Sequence, residues 1–396
     1  MSLSVTHGIL LLFIGYLIFT LDKKQENIPV PTILVFLGIG MSFIPYFSSI
    51  HVTEHMIYHI FLPPLLFVSA YRFPPNQFKK HIGIILFLAT AGILLTVGIL
   101  GVVIYTMSGP FLSLSLIGGL LLASILTPTD PVSVVSILKK STGDEKIADV
   151  VEGESLINDG TSIVIFSVLL GLYTNQQDFS VSSFLSEFLL VSLGGTALGI
   201  AFGWLMSKGV HYTHNKEYQV MLSIVLAYGI FNIAEGIGVS GVLATVFAGL
   251  MLSFEYGRTI KENHFKESLD GFWSIIESSA LSLLFLLIGI EAVQYLQVSI
   301  LGFAFIVFVL SMIVRFIIIT GTTSIFHKWR KRISWRESTI ITWSGLKGSM
   351  SVFLILSFQA SHADGNELLL SLSFTTVLIS LILQSLGVYP LSKKLL

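Results

Sequence analysis

The chain has 396 residues, of which 53% are hydrophobic and only 11% charged, and its formal net charge is -1. An average soluble domain carries about 25% charged residues, so this chain lacks the polar surface that a soluble fold of its length needs. Near-neutral charge argues against a nucleic-acid partner, and zero cysteines exclude a disulfide framework, a thiolate metal site and thiol catalysis.

From the N-terminus, apolar stretches of roughly 18 to 28 residues recur, each long enough to cross a ~30 Å hydrocarbon core. Thirteen membrane helices are expected, at about 7–21, 28–46, 56–71, 81–107, 111–138, 147–173, 182–207, 218–235, 237–254, 272–292, 298–326, 337–360 and 367–390. The first has no basic segment before it and no small-residue cleavage site, and Asp22-Lys23-Lys24 follows it. It reads as a retained span with the N-terminus outside, not as a signal peptide. Gly236-Ile237-Gly238 makes the link between the eighth and ninth spans very short. With this count, every Lys and Arg except Arg315 and Lys347 falls on the cytoplasmic side, and none of the 22 enters an external loop. One missed or invented helix would scramble that alternation. The 34 glycines suit the close helix approach that packing in lipid requires.

Two spans are interrupted. In the fifth, Thr127-Pro128-Thr129-Asp130-Pro131 places two prolines around an acid; in the twelfth, Ser344-Gly345-Leu346-Lys347-Gly348-Ser349 surrounds a cation with small residues. Proline removes a backbone donor and glycine weakens a helix. Exposed backbone at membrane depth is tolerated only where it is buried in protein or lines a wet cavity. The two breaks, near 127–131 and 344–349, fall in spans of opposite direction seven apart. That arrangement is the signature of inverted repeats around a binding site.

The sixth span contains Glu152-Gly153-Glu154-Ser155-Leu156-Ile157-Asn158-Asp159. At 1.5 Å per residue Asp159 lies ~18 Å, and Asp130 ~13 Å, from the cytoplasmic side, so the two can meet. Ser155 and Asp159 share one helical face; Glu154 and Asn158 share the next. A hard monovalent cation takes oxygen ligands, which the two carboxylates, the Ser155 hydroxyl and a carbonyl freed between Pro128 and Pro131 would supply. The same carboxylates accept a proton, and a site that holds either but not both exchanges them by competition. Acids inside spans are functional by default. Glu145, Asp149 and Glu152 are expected in a solvated mouth. Lys347 needs a counter-ion, and a Glu154–Lys347 bridge is expected. Arg315 is expected in a structural ion pair with no partner evident, and Glu277 either lines a funnel or pairs with Arg315. His51, His55 and His59 recur every four residues beside Glu54. Interfacial histidines on a wet edge are the favoured reading, a divalent-metal site the weaker one.

Four segments carry a family resemblance: Leu-Pro-Pro-Leu-Leu-Phe at 62–67, Thr-Pro-Thr-Asp-Pro-Val at 127–132, Gly-Glu-Ser-Leu-Ile-Asn-Asp-Gly at 153–160 and Gly-Leu-Lys-Gly-Ser-Met-Ser at 345–351. They resemble the NhaP-type monovalent cation:proton antiporters, bacterial relatives of the eukaryotic sodium/proton exchangers. The resemblance runs along essentially the whole chain. It implies one transmembrane exchanger domain, with core helices at about 81–173 and 298–390 and scaffold and dimerisation helices in the remainder. It also implies a homodimer in the bacterial cytoplasmic membrane, with no cofactor. The implied activity is alternating-access exchange of Na⁺, Li⁺ or K⁺ for H⁺. Asp159 is then the essential carboxylate, with Asp130, the Thr129 main chain and Ser155 as co-ligands and Asn158 hydrogen-bonded within the site. The Asn-Asp pair resembles the electroneutral, one-for-one branch. Lys347 stands where arginine is common, Val68 where many relatives carry an acid, and the chain stops at Leu396 where many continue into a regulatory tail, so tail-mediated regulation is not expected. A cation channel would need a filter loop of the Thr-Val-Gly-Tyr-Gly kind, and an intramembrane aspartyl protease would need Tyr-Asp and Gly-x-Gly-Asp contexts; neither is in the sequence.

Overall fold

A computed structural model of the chain describes residues 5–22, 30–48, 50, 52–109, 114–130, 135, 138, 145–175, 180–212, 215–256, 263–326, 329, 333–361 and 366–395. These residues are almost wholly helical, and no strand occurs among them. Each segment expected to be a span contains a helix. In order they are α1 (Val5–Asp22), α2 (Val30–Ser42), α3 (54–72), α4 (Pro75–Ser108), α5 (Leu116–Ile125), α6 (Glu145–Asn175), α7 (Val181–Tyr212), α8 (Lys216–Gly236), α9 (Gly241–Tyr256), α10 (Asn263–Ala292) and α11 (Leu301–Ile325), followed by α12a (Trp335–Trp343), α12b (Ser349–Ala360) and α13 (Asn366–Leu395). Seven are long and apolar enough to cross a membrane and five more are shorter apolar helices. The chain is a multi-pass membrane protein, and exposed side chains such as Leu190, Leu193 and Leu205 on α7 are what a lipid-facing surface requires.

Local sequence explains the irregularities. Pro63 and Pro64 lie just after a π-helical turn at Ile57–Phe61 in α3. Pro64 has no N–H for the carbonyl one turn back. The Tyr228 hydroxyl of α8 donates to that Ile60 carbonyl at 3.0 Å. A second π-helical turn, Leu88–Gly92 in α4, leaves the Ala89 carbonyl to accept from the Thr161 hydroxyl of α6 at 2.6 Å. The tight link between α8 and α9 turns on Gly238, whose φ of 79° is the left-handed conformation that glycine adopts without steric cost. Glu235 and Ser240 accept from the first free N–H groups of α9, those of Gly241 at 2.7 Å and Leu243 at 3.2 Å.

The helices pack in two sets. In one, α1, α2, α3, α7, α8, α9 and α10 lie against each other; in the other, α4, α5, α6, α11, α12a, α12b and α13 do. Small residues set the spacing. Gly195, Gly199 and Gly203 of α7 run at four-residue intervals against Ser240, Ala244 and Ala248 of α9, and a Cβ on Gly199 would lie 2.9 Å from the Ala244 Cα. Real Cβ atoms do not approach that closely, so backbone-to-backbone packing replaces side-chain interdigitation here. The sets meet where α6 packs on α7 and α9, and where α12b packs on α10 and the start of α3.

Candidate ion-binding site

Residues 127–130, after α5, and 345–348, between α12a and α12b, are non-helical. The two breaks touch: the Asp130 N–H donates to the Leu346 carbonyl at 2.8 Å. Gly348 is what lets them meet, because a Cβ there would overlap the Asp130 carboxyl group. Pro128 lies in the break as expected, and Pro131 lies outside the described residues. The free backbone of the second break is answered from α13. Gln384 Nε2 donates to the Trp343 carbonyl at 2.8 Å, and the Lys347 N–H donates to the Ser380 hydroxyl at 3.0 Å. Ser380 and Gln384 also bond each other. Sequence reasoning missed both residues. Their four-residue spacing, which puts both on one face of the thirteenth span, was the available signal.

A cavity of about 50 Å³ lies against these breaks; Thr129, Asp130, Ser155, Asp159 and Ser349 supply most of its polar wall, and Ser69 of α3 the rest. Leu62, Leu66 and Leu281, from α3 and α10, close the apolar side. The site therefore sits between the two helix sets. Of the sequence-predicted residues, Asp130, Thr129, Ser155 and Asp159 come together here. Asp130 is 7% exposed and Ser155 1%, whereas Asp159 is less deeply covered and faces the cavity. The Ser155 hydroxyl donates to the Thr129 carbonyl, and Asn158 Nδ2 donates to the Thr129 hydroxyl at 2.8 Å. Asn158 thus locks the α5 break onto α6. Asn158 Oδ1 and Asp159 Oδ1 are buried without a hydrogen-bond partner among the described residues. Buried acceptors without a donor are costly unless something positive meets them, and a cation or a proton does so.

The predicted Glu154–Lys347 bridge is corrected. Glu154 pairs with Arg315 of α11 through two bonds, Nη1 to Oε1 at 3.0 Å and Nη2 to Oε2 at 2.7 Å. A planar guanidinium matches a carboxylate fork that a compact ammonium cannot. Gly345 makes the room, since a Cβ there would lie 2.5 Å from Arg315 Nε. Lys347 is 3% exposed and makes no ion pair among the described residues. Arg315 therefore has the structural pair that its depth demanded. Glu277 neither lines the cavity nor meets Arg315: it pairs with Arg72 of α3, which also donates to Ser274 at 2.7 Å. His51 lies outside the described residues. The His55 and His59 rings lie 4.6 Å apart, and no group of three metal-ligating side chains occurs among the described residues. Val68 is fully buried, packed in the first helix set with Phe67 and Tyr71.

Comparison with known proteins agrees with this architecture. A family model described as "Sodium/hydrogen exchanger, transmembrane" matches residues 9–394. The Na⁺/H⁺ antiporter ApNhaP of Aphanothece halophytica is 34% identical over 382 residues, covering 93% of this chain and 70% of that protein. The Na⁺/H⁺ antiporter NhaH of Halobacillus aidingensis is 30% identical over 399 residues, covering 98% of this chain and 96% of that protein. In fold, the chain matches the sodium proton antiporter MjNhaP1 of Methanocaldococcus jannaschii with a TM-score of 0.78 at 20% identity, over 99% of this chain and 98% of that one. With a family match that runs from α1 to α13 and this pair of crossed, interrupted helices, the chain belongs to the sodium/hydrogen exchanger family of membrane transporters.

Proposed function

We propose that this chain exchanges Na⁺ for H⁺ across the cell membrane, with both ions competing for the cavity walled by Asp130 and Asp159. One observation carries the reading: two carboxylates, one from the break after α5 and one from α6, face one small cavity, beside acceptor oxygens that have no donor. Two carboxylates so placed repel each other unless a proton or a cation neutralises the site. Asp159 is the exchanging group, because it is on a continuous helix, faces the cavity and leaves Oδ1 unbonded. Asp130 forms the opposite wall. Ser155 and the Thr129 carbonyl, bonded to each other in this structure, are ligands once a cation reorients the hydroxyl. Asn158 and the Glu154–Arg315 pair hold the frame and carry no net charge through the cycle, which supports one-for-one exchange. Lys347 supports the α12 break from within. Li⁺ and K⁺ are the alternative cations, separated from Na⁺ by cavity size.

The same reading makes the second helix set the moving core and the first the scaffold, with the cavity on their seam and the chain a homodimer. The N-terminus is outside and the C-terminus cytoplasmic, as the positive charge dictates. A pore reading fares worse, because α3 and α12b are joined on the Glu54 side of the cavity by the Tyr58 ring stacked at 4.6 Å on Phe353.

The test is exchange in proteoliposomes. Na⁺ added to wild-type vesicles holding a pH gradient dissipates it, at a rate unaffected by an imposed potential. Asp159→Asn, folded and reconstituted equally, is expected to reduce that rate to the protein-free background. Full activity of this variant would sink the assignment, and passive Na⁺ current without proton movement would favour a channel.

A further inference from the structure

At the end of the molecule where α4 begins, a pocket of about 180 Å³ opens between α4, the start of α6 and the segment joining α11 to α12a. Its wall carries Lys79, Lys80 and Lys146, with the Trp329 ring across from Gly83. Lys146 is bonded to Glu337 at 2.9 Å, and Lys79 lies 5.0 Å from the Phe254 ring centre. Among the described residues Lys80 has no ion-pair partner. The pocket thus keeps an excess of positive charge.

What continues from it is apolar. Ile82 in the pocket wall and Leu86 one turn further along α4 are 40% and 36% exposed, and beside them the Phe87, Phe326 and Trp329 rings pack tilted or edge to face with centres 4.5–5.8 Å apart. Phe326 is itself 42% exposed. Cations at the helix end, an indole beside them and an apolar strip below repeat the polarity of one lipid molecule, headgroup to chain. A soluble anion would use the lysines and leave the aromatic strip without a role.

We propose that this pocket binds a phospholipid with an anionic headgroup, its phosphate on Lys79, Lys80 and Lys146 and an acyl chain on the Phe87–Phe326 strip. The residues that line the site belong to the second helix set and the segment after α11, away from the Asp130–Asp159 cavity, and Lys79 alone reaches the first set, at Phe254 of α9. The bound lipid would therefore travel with that set, and its binding does not depend on the exchange reading.

The purified full chain, delipidated in detergent, is offered phosphatidylglycerol and phosphatidylcholine at equal concentration, and bound lipid is counted by native mass spectrometry. Wild type is expected to prefer phosphatidylglycerol, and Lys79→Gln/Lys80→Gln to lose about fivefold in that preference for each lysine removed. Both lysines are exposed, so this variant keeps its fold; unchanged thermal unfolding verifies it. Gly83→Leu fills the pocket without altering charge and is expected to lose the bound lipid as well. Equal binding of the two lipids by wild type, or an unchanged preference in the double variant, would overturn the site. Inorganic phosphate bound as tightly as phosphatidylglycerol would overturn the lipid in favour of a free anion.

Discussion

Glu154 and Arg315 meet 161 residues apart in sequence, with side chains 2% and 11% exposed. A buried pair of this kind gains little over an apolar substitute, but losing one partner strands a charge. Arg315→Gln is therefore expected to cost ~3–5 kcal/mol of stability. Lys347→Gln strands no carboxylate and stays near the ~1 kcal/mol of an average substitution. Thermal unfolding of the two variants in one detergent checks the order; equal losses would contradict the pairing. Sequence could bring Asp130, Asp159 and Ser155 to one place, because that juxtaposition follows from depth and helical face, whereas the hydrogen bonding of Asn158 came from the family resemblance. It assigned Glu154 to Lys347, and the structure pairs it with Arg315 instead. Both are lone cations in neighbouring spans, and the choice rests on the gap at Gly345, which only the folded backbone reveals.

Interrupted helices leave donors and acceptors that must be met inside the protein. The prolines of the fifth span and the glycines of the twelfth announced both breaks. Nothing local announced what would satisfy them, because the partners come from α13 and from the opposite break. Gln384 is the clearest case: its amide reaches the Trp343 carbonyl, while the Trp343 indole N–H donates to the Gln384 carbonyl at 3.0 Å. Gln384→Leu leaves the Trp343 carbonyl and the Ser380 hydroxyl short of a partner, at ~1–3 kcal/mol. Its expected signature is local. Amide hydrogen exchange should rise in residues 344–349 while the α7–α9 crossing stays protected. A uniform rise across the molecule would instead mean that Gln384 is ordinary packing.

At the scale of the molecule, side-chain contacts bridge the seam between the two helix sets on both sides of the cavity, Phe78 of α4 against Phe254 of α9 among them. On one side the Ser357 hydroxyl of α12b donates to Glu54 of α3 at 2.8 Å, and Tyr58 stacks on Phe353. Tyr295, just past α10, stacks on Phe374 of α13 at 4.6 Å. These three contacts join one set to the other at the same end, so exchange by alternating access requires that they open. The natural absence of cysteine gives a clean test. Cysteines placed at Glu54 and Ser357 and joined by a short cleavable bis-thiol reagent should abolish exchange, and cleavage of the linker should restore it. Untreated double variant retains its activity, because a single polar contact at the rim is not part of the ion site. Exchange that persists across a complete crosslink would show that α3 and α12b never separate at this end. The ion would then have to leave by a path that keeps the two helix sets fixed, and the moving-core reading would fall while the Asp159 site stood.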